Sequence, residues 1–481
     1  MASSDTGNIT EVKAGYWYCD SQSPTPVADI PSELFTHLFA AFADVKLIGN
    51  DCKVTFPEAY EVQFSTFTLT VQKKNPLVQT LLSIGGGAST FASMASQVNT
   101  RQSFIHSSIN LARSNDFHGL SLHWQYPSTE EERTNLGSLL NEWRAEVDLE
   151  SKLTGNDPLL LVAAVYYRPQ IHEDSFNYPV AEIASSLDWI NLVAYDFYNP
   201  VLSGNNTGPF AALHNGHIHE EDPRCADPGV RAWIHHGVPA NKIVFGLPFY
   251  GAAWRLKDDT QRGIFAAADG AADGAAAGVY INPSDGTILY NQIKYFIETH
   301  PGSDPVHHDD YVVDIFSAEN TWIAYNDTQS ITAKVKYAKE NALLGYYAWH
   351  VGGDRQGTLS QAASEVWNRV ALATDGTDTG GAGTGGAGTG GAGTGGALTF
   401  GNVTVTGGAG DGNVTVTVTA GNINVGSVTG GTGTGGTGTG GTGTGGTGTG
   451  TGTGIGMAPR PAPIVRSINS LLSCRHQQKG N

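Results

Sequence analysis

The chain has few basic residues and no long apolar segment. Its 481 residues include 27 Lys and Arg against 45 Asp and Glu, which gives a formal net charge of −18. A negative protein of this kind is repelled by nucleic acid and by anionic lipid surfaces. No stretch of about 18 apolar residues occurs, so no membrane span is predicted. We therefore expect neither nucleic acid nor a membrane among the partners.

Cysteine is also scarce. Cys19, Cys52, Cys225 and Cys474 lie far apart, which is neither a disulfide scaffold nor a zinc-binding spacing, although Cys19 and Cys52 are left open as a pair. The first ten residues have no basic segment followed by an apolar one, so no signal peptide is visible. We expect no cofactor and no metal site.

Up to about Thr374, short apolar or β-branched runs alternate with longer amphipathic stretches. This alternation is typical of β/α units around a parallel sheet, and eight such units predict an α/β fold, a closed (β/α)8 TIM barrel. The gap before the eighth strand is long and predicts a small α+β insertion at about 252–340. The predicted strands are Val12–Tyr18, His37–Phe42, Thr80–Ile84, Gly119–Trp124, Leu159–Val165, Trp189–Tyr195, Lys242–Pro248 and Leu344–Trp349.

The composition changes abruptly after the predicted barrel. Residues 375–456 consist largely of Gly-Thr repeats around two strand-like pieces, Gly401–Thr406 and Asn413–Thr419, and residues 457–481 form a short basic tail. Such a segment has too little apolar surface to offset the entropy of ordering it. We predict a largely disordered spacer.

The run from Phe117 to Pro127 reads FHGLSLHWQYP. On a strand, Ser121, His123 and Gln125 share one face, because successive side chains alternate. That face would point into a parallel barrel, where buried polar residues with ordinary partners would produce a similar pattern. The run alone therefore leaves a structural and a functional interpretation open.

This run resembles the signature of family 18 glycoside hydrolases, whose strand carries the pattern D-x-x-D-x-D-x-E. Here the four acidic positions are His118, Ser121, His123 and Gln125. Six further segments over roughly residues 11–370 resemble the plant class V chitinases within that family. They are VKAGYW at 12–17, THLFAAFAD at 36–44, LSIGG at 82–86, INLVAYDFY at 190–198, FGLPFYG at 245–251 and GYYAWHVG at 345–352.

The resemblance implies that the catalytic acid is missing. In the family the Glu protonates the glycosidic oxygen and the neighbouring Asp orients the substrate's acetamido group, whose carbonyl attacks the sugar. Gln125 has no transferable acidic proton near neutral pH. Loss of a general acid costs about 10² to 10⁴ in rate. We therefore predict a pseudo-chitinase rather than an enzyme, with no catalytic residues.

The same resemblance implies that the sugar-binding residues remain. A floor Trp stacks on the N-acetylglucosamine ring, a Tyr-Asp pair contacts its acetamido and hydroxyl groups, and further aromatic residues line the pocket. Packing alone would also account for some of these aromatic residues. The predicted ligand-binding residues are Tyr16, Phe42, Gln125, Tyr195, Asp196, Trp254 and Trp349.

The leading hypothesis is a lectin for N-acetylglucosamine-containing glycans, such as chitin oligomers or N-glycan cores. The alternative is an inactive relative that inhibits other glycosidases or serves as a storage protein, with its cleft blocked by the loops at 204–222 or 265–278. A residual chitinase is a weaker interpretation. A metal site at His118 and His123 is also weaker, since the two side chains would lie on opposite faces of the strand. The resemblance implies an extracellular or vacuolar location.

Overall fold

The computed structural model describes residues 9–19, 25–49, 51–85, 88–170, 177–203, 205–216, 224–374, 398–400, 403–407 and 414–418.

Eight parallel strands form a closed barrel, as the sequence predicts. The ring closes because β1 pairs with both β2 and β15. Apart from the second half of β2, these strands are buried along most of their length, as their nearly continuous apolar runs predict. The barrel strands, in chain order, are β1 (Val12–Tyr18), β2 (His37–Ile48), β4 (Gln79–Gly85), β5 (Gly119–His123), β6 (Leu160–Tyr166), β7 (Trp189–Val193), β8 (Ile243–Pro248) and β15 (Gly345–Trp349).

Along the chain, these strands alternate with helices. The longest of them, α5, begins with a reciprocal cap between Thr129 and Glu132 and ends at Gly155, whose φ of 75° suits a residue without a Cβ. No helix in the described part of the chain is long and apolar enough to cross a membrane. The helices outside the insertion are α1 (Glu61–Ser65), α2 (Phe67–Gln72), α3 (Ala88–Ser96), α4 (Val98–Arg113), α5 (Glu130–Thr154), α6 (Val180–Ser186), α7 (Ala226–His235), α9 (Thr328–Glu340) and α10 (Thr358–Thr374).

Two additional elements decorate the barrel. Strand β3 (Asp51–Thr55) forms a hairpin with the extended end of β2. Between β8 and α9 the chain builds a six-stranded antiparallel sheet with one helix. The elements of this insertion are β9 (Tyr250–Leu256), β10 (Ala268–Ala271), β11 (Thr287–Leu289), α8 (Tyr290–Thr299), β12 (Val306–His308), β13 (Val313–Ala318) and β14 (Thr321–Tyr325).

The insertion ends earlier than the sequence predicts. Its last strand stops at Tyr325, and Asp327 caps the next helix by accepting a hydrogen bond from the Thr328 backbone N–H. That helix, α9, packs against β8, β15 and α10, and it buries Ile331, Val335 and Ala338. It is therefore the barrel helix between the seventh and eighth strands, and the predicted boundary at residue 340 was wrong by the length of this helix.

The C-terminal segment contains a separate three-stranded antiparallel sheet. Its strands are β16 (Leu398–Phe400), β17 (Val403–Gly407) and β18 (Val414–Val418). The last two strands coincide with the strand-like pieces predicted at Gly401–Thr406 and Asn413–Thr419. The predicted disorder of the repeats and of the basic tail concerns residues outside the described part of the chain.

Close packing at the barrel seam requires glycine at position 345. A Cβ atom added at Gly345 would overlap the carbonyl oxygen of its partner residue Val12 on β1. We expect Gly345→Ala to lower the free energy of unfolding by about 2 kcal/mol or more, in the upper range for overpacked cores. A Cβ atom at Gly263 would meet no atom within 4 Å. Gly263→Ala is therefore the matched control, and equal stability of the two variants in urea titrations would contradict this account of the seam.

Candidate functional site

A cluster of aromatic rings occupies the carboxyl end of the barrel. Trp349, at the end of β15, lies at its centre and remains half-buried. Its ring centroid is 5.0 Å from that of Tyr16, 5.6 Å from that of Phe42 and 5.8 Å from that of Tyr18. Active sites of TIM barrels form at this end of the strands. The structure thus brings three of the predicted binding residues, Tyr16, Phe42 and Trp349, into direct contact.

His123 belongs to this aromatic cluster. It lies at the end of β5, where the family motif has an Asp, and its ring is stacked on Trp349 at 5.5 Å and contacts Phe42 at 4.5 Å. Its Nδ1 atom is buried without a hydrogen-bond partner. Burial lowers the pKa of His123 to about 4, and a hydrogen bond with Gln125 acts in the opposite direction. His123 is therefore a neutral, partly apolar group near neutral pH.

The position of the family's catalytic acid contains only an amide. Gln125 is half-buried, and its Nε2 donates a long hydrogen bond of 3.4 Å to the hydroxyl of Tyr126. An amide donates and accepts hydrogen bonds without transferring a proton. The arrangement can therefore orient a sugar hydroxyl or acetamido group, but position 125 supplies no general acid.

His118 does not reach this site. It precedes β5 at the opposite end of the strand, where its Nδ1 accepts a hydrogen bond of 3.1 Å from the backbone N–H of Thr80. Among the described residues no group of three or more His, Cys, Asp and Glu side chains is arranged to hold a metal ion. Its hydrogen bond with Thr80 of β4 gives His118 a structural role between β4 and β5.

Asp196 is the acidic residue of the site that follows β7. Its backbone has a φ of 62°, and its Oδ1 accepts a hydrogen bond of 2.6 Å from the Tyr250 hydroxyl. Burial raises the pKa of Asp196 to about 7; the Tyr250 hydrogen bond lowers it, and the nearby Asp285 raises it further. Asp196 therefore keeps its proton to a higher pH than an ordinary Asp does.

A chain of hydroxyl groups lies beside Asp196. The hydroxyls of Tyr195 and Tyr347 are 3.0 Å apart, and Tyr347 also donates to the carbonyl oxygen of Leu192 at 3.2 Å. Burial raises the pKa of Tyr195 and Tyr347 well above the ordinary value, so both remain neutral donors. A Cβ atom at Gly246 would lie 2.8 Å from the Tyr195 ring and 2.8 Å from the Tyr347 hydroxyl oxygen, so the missing side chain makes room for the pair.

Tyr16 is held from below by the barrel interior. Its hydroxyl accepts a hydrogen bond of 2.7 Å from Asn191 Nδ2, and Asn191 Oδ1 accepts one of 3.0 Å from Trp189 Nε1. Burial raises the pKa of Tyr16 to about 12, although Ser121 and Asn191 lower it. Tyr16 is fully buried, so it supports Trp349 and presents no free surface of its own.

Trp254 does not belong to the cluster. The resemblance implies that it lines the sugar pocket, but the side chain is 0% exposed and lies in β9 of the insertion. It is paired in register with Trp322 on β14, and the two ring centroids are 5.3 Å apart. An indole enclosed in the insertion sheet cannot stack on a sugar in this conformation. The predicted role of Trp254 is corrected to a core residue.

The sequence interpretation missed four residues that shape the site: Tyr18, Asn191, Tyr250 and Tyr347. Two of them carried a usable signal. Asn191 is a polar residue inside an apolar strand, and Tyr250 follows directly after β8, at the end of the barrel where the site forms. The contacts of Tyr18 and Tyr347 depend on the closure of the barrel, which the local sequence does not reveal.

The raised pKa of Asp196 predicts a pH-dependent contribution to stability. Because the folded state holds this proton more tightly than the unfolded chain, the contribution is full below the ordinary pKa of 3.8 and is lost as the pH rises through about 7. Asn mimics the protonated acid at all pH values. We expect the stability of the wild type, measured relative to Asp196→Asn by urea unfolding, to fall between about pH 4 and pH 8.

Tyr250→Phe provides a second test of the same proton. It removes the hydrogen bond that lowers the pKa of Asp196, so the midpoint of the fall should move to higher pH. His123 and His350, whose pKa values burial lowers to about 4, act in the opposite direction, but they are present in every variant and cancel in the differences. Parallel stability curves for the wild type and Asp196→Asn would contradict the assignment.

Comparison with known proteins agrees with this geometry. Residues 12–354 match the model of the glycosyl hydrolases family 18. A class V chitinase of Arabidopsis thaliana is 49% identical over 372 residues, which cover 76% of this chain and 92% of that protein.

Two solved structures are similar over almost their entire length. A Glu-to-Gln mutant of the class V chitinase from Nicotiana tobaccum, in complex with NAG4, is 43% identical with a TM-score of 0.69. The chitinase-like agglutinin of Robinia pseudoacacia is 43% identical with a TM-score of 0.64. Each alignment covers 74% of this chain and 99% of the other. The chain therefore belongs to glycosyl hydrolases family 18, and it is similar both to class V chitinases and to a chitinase-like agglutinin.

Proposed function

We propose that the protein is a non-hydrolytic lectin that binds N-acetylglucosamine oligomers or glycans containing them at the carboxyl end of the barrel. The observation that carries the proposal is the half-buried Trp349 indole, which lies on an aromatic floor within the same site as the Tyr195 and Asp196 pair, while position 125 is Gln. Aromatic faces bury the C–H surface of a sugar, and polar groups at the rim select its hydroxyls. Neither interaction requires an acid.

The proposed loss of hydrolysis rests on two groups at the carboxyl end of β5. The family mechanism needs a proton donor for the leaving group and a carboxylate that orients the acetamido group. Gln125 provides no proton, and His123 is stacked into the aromatic cluster as a neutral ring. Both functions are missing at the carboxyl end of β5, and we expect their losses to compound.

The relatives support sugar binding more directly than they support inactivity. One similar structure is a class V chitinase in which a Glu was changed to Gln, and it was obtained in complex with NAG4. The agglutinin from Robinia pseudoacacia supports a binding function for this fold. The class V chitinases are named as enzymes, so inactivity rests on the substitutions in this chain.

A second candidate function is slow hydrolysis with Asp196 as the proton donor. The observation in its favour is the pKa of Asp196, raised by burial to about 7, which suits a general acid near neutral pH. The hydrogen bond from Tyr250 and the missing partner carboxylate on β5 argue against it. Any slow hydrolysis that is lost in Asp196→Asn would favour this second function.

Trp349→Ala tests the lectin proposal. A sugar ring stacked on the indole contributes much of the contact area, so we expect the variant to weaken binding of the N-acetylglucosamine tetramer by about 2 kcal/mol or more in titration calorimetry. Tyr195→Phe should cost only about 0.5 to 1.5 kcal/mol, the range of one hydrogen bond.

Tyr295→Ala is a suitable control, because Tyr295 is an aromatic residue of α8 that is 48% exposed. It should bind like the wild type. If the wild type binds no N-acetylglucosamine oligomer, the lectin proposal fails, and the inhibitor or storage function replaces it. If Trp349→Ala binds as well as the wild type, the sugar lies elsewhere.

Restoring carboxylates tests the proposed inactivity. We expect Gln125→Glu alone to recover little hydrolysis of the tetramer, because His123 and Ser121 cannot orient the acetamido group or adjust the pKa of the new acid. The fourfold variant with Asp at 118, 121 and 123 and Glu at 125 should recover more. Equal rates for the single and fourfold variants, measured by product chromatography, would contradict this explanation.

A further inference from the structure

Acceptor sequences for N-linked glycans occur at five positions of the chain, and the structure describes two of them. Such a sequence is Asn-x-Ser/Thr, in which x is not Pro and the Asn side chain receives the glycan. Three of the five begin at residues 8, 402 and 413, outside the described part of the chain. The other two are Asn205-Asn206-Thr207 and Asn326-Asp327-Thr328. The surroundings of these two acceptor residues decide which of them can carry a glycan.

The segment around Asn205 lies at the surface, in the connection between β7 and α7. Asn205 and Asn206 are both exposed. Backbone hydrogen bonds hold the segment in place: the Asn205 carbonyl oxygen accepts one of 2.7 Å from the Ala268 N–H, and the Thr207 N–H donates one of 2.9 Å to the Ala266 carbonyl oxygen. The backbone of Asn205 is therefore fixed while the residue remains exposed to solvent.

Thr207 indicates when the glycan would be attached. The residue is buried, and its Oγ1 donates a hydrogen bond of 3.1 Å to the Gly263 carbonyl oxygen. A transferase that requires the hydroxyl at this position cannot reach it in the folded protein. Transfer therefore takes place before the segment folds, and the fold only has to leave the modified Asn205 at the surface.

Asn326 is the opposite case. The residue is 1% exposed, and its Oδ1 accepts a hydrogen bond of 2.6 Å from Nζ of the buried Lys334. Its Nδ2, the atom to which a sugar would be attached, is buried as well. A sugar there would separate Lys334 from its acceptor, and a buried polar group that loses its partner costs free energy. A chain with a glycan on Asn326 could not adopt this fold.

We propose that Asn205 is an N-glycosylation site and that Asn326 stays unmodified in the folded protein. Nδ2 of Asn205 displaces a polyprenyl diphosphate from C1 of the first N-acetylglucosamine of a lipid-linked oligosaccharide. The C1–O bond to the diphosphate breaks, the C1–N bond forms, and the nitrogen loses one proton. The inference presupposes the extracellular or vacuolar location that the family resemblance implies. It is independent of the proposed lectin function, because no step of it involves the aromatic floor.

The test is to produce the full chain, fused to a secretion leader, in cultured plant cells and to map its glycans by mass spectrometry. Enzymatic release of an N-linked glycan converts its Asn to Asp, so each glycosylated position is identified separately. We expect the peptide with Asn205 to be glycosylated in most molecules and the peptide with Asn326 to be unmodified. Chains inside microsomes are mapped as well, so that the result for Asn205 does not depend on export.

Two neighbouring variants localise the glycan. Asn205→Gln removes the acceptor and should lower the mass of the protein by one glycan. Asn206→Gln is the matched control, because Asn206 is also exposed and the change leaves the acceptor sequence at 205–207 intact. It should keep the mass of the glycosylated protein.

The outcomes bear on each half of the inference. An unmodified Asn205, in the medium or in the microsomes, would overturn it, as would the loss of no glycan in Asn205→Gln. A glycan on Asn326 in the secreted, folded protein would contradict the structural reason for the distinction. Sugar binding is not measured, so a failure of the lectin function leaves this result unaffected.

Discussion

The packing of four rings around the Trp349 indole is the contact on which the site depends. Tyr16 and Tyr18 come from β1, Phe42 from β2 and His123 from β5, so the last strand of the barrel is held by three others. Aromatic pairs in such geometries contribute about 0.5 to 1.5 kcal/mol beyond their buried area. These ring contacts lie where β1 pairs with β15, and they fix the orientation of the indole that a sugar would meet.

This cluster gives a physical account of the residue at position 123. A carboxylate enclosed by Trp349 and Phe42 would need a hydrogen-bonding partner, because burial strongly disfavours an unpaired charge. A neutral imidazole with a pKa near 4 loses little in the same place and adds a flat ring to the stack. The imidazole leaves its buried Nδ1 without a hydrogen-bond partner, which is a cost to stability. His123 therefore packs with the rings of the aromatic cluster, and Asp196 is a carboxyl of the site whose pKa is raised by burial.

The sequence predicts the barrel well, because a parallel strand that is buried on both faces consists of a continuous run of apolar residues, which can be recognised locally. All eight predicted strands overlap the observed ones. The insertion boundary was wrong, since a barrel helix such as α9 and an insertion helix have similar amphipathic patterns, and only the contacts of α9 with β8 and β15 distinguish them. The site was predicted in part. Phe42 and Trp349 lie together in the site, and Tyr16 packs with them, but it is fully buried and has no surface to offer a ligand. Trp254 is enclosed by a cross-strand partner, Trp322, that no local pattern reveals.

The central claim is that one site binds N-acetylglucosamine oligomers without cleaving them. Proton NMR of the tetramer with the wild-type protein tests both parts in one sample. Saturation transfer from the protein to the acetyl methyl groups reports binding, and growth of reducing-end anomeric signals reports cleavage. We predict transfer that is strongest on one or two sugar residues, with no growth of the anomeric signals. Removal of a general acid lowers the rate by about 10² or more, so cleavage at a rate within about tenfold of an active class V chitinase would contradict the account. The absence of any saturation transfer would contradict it as well.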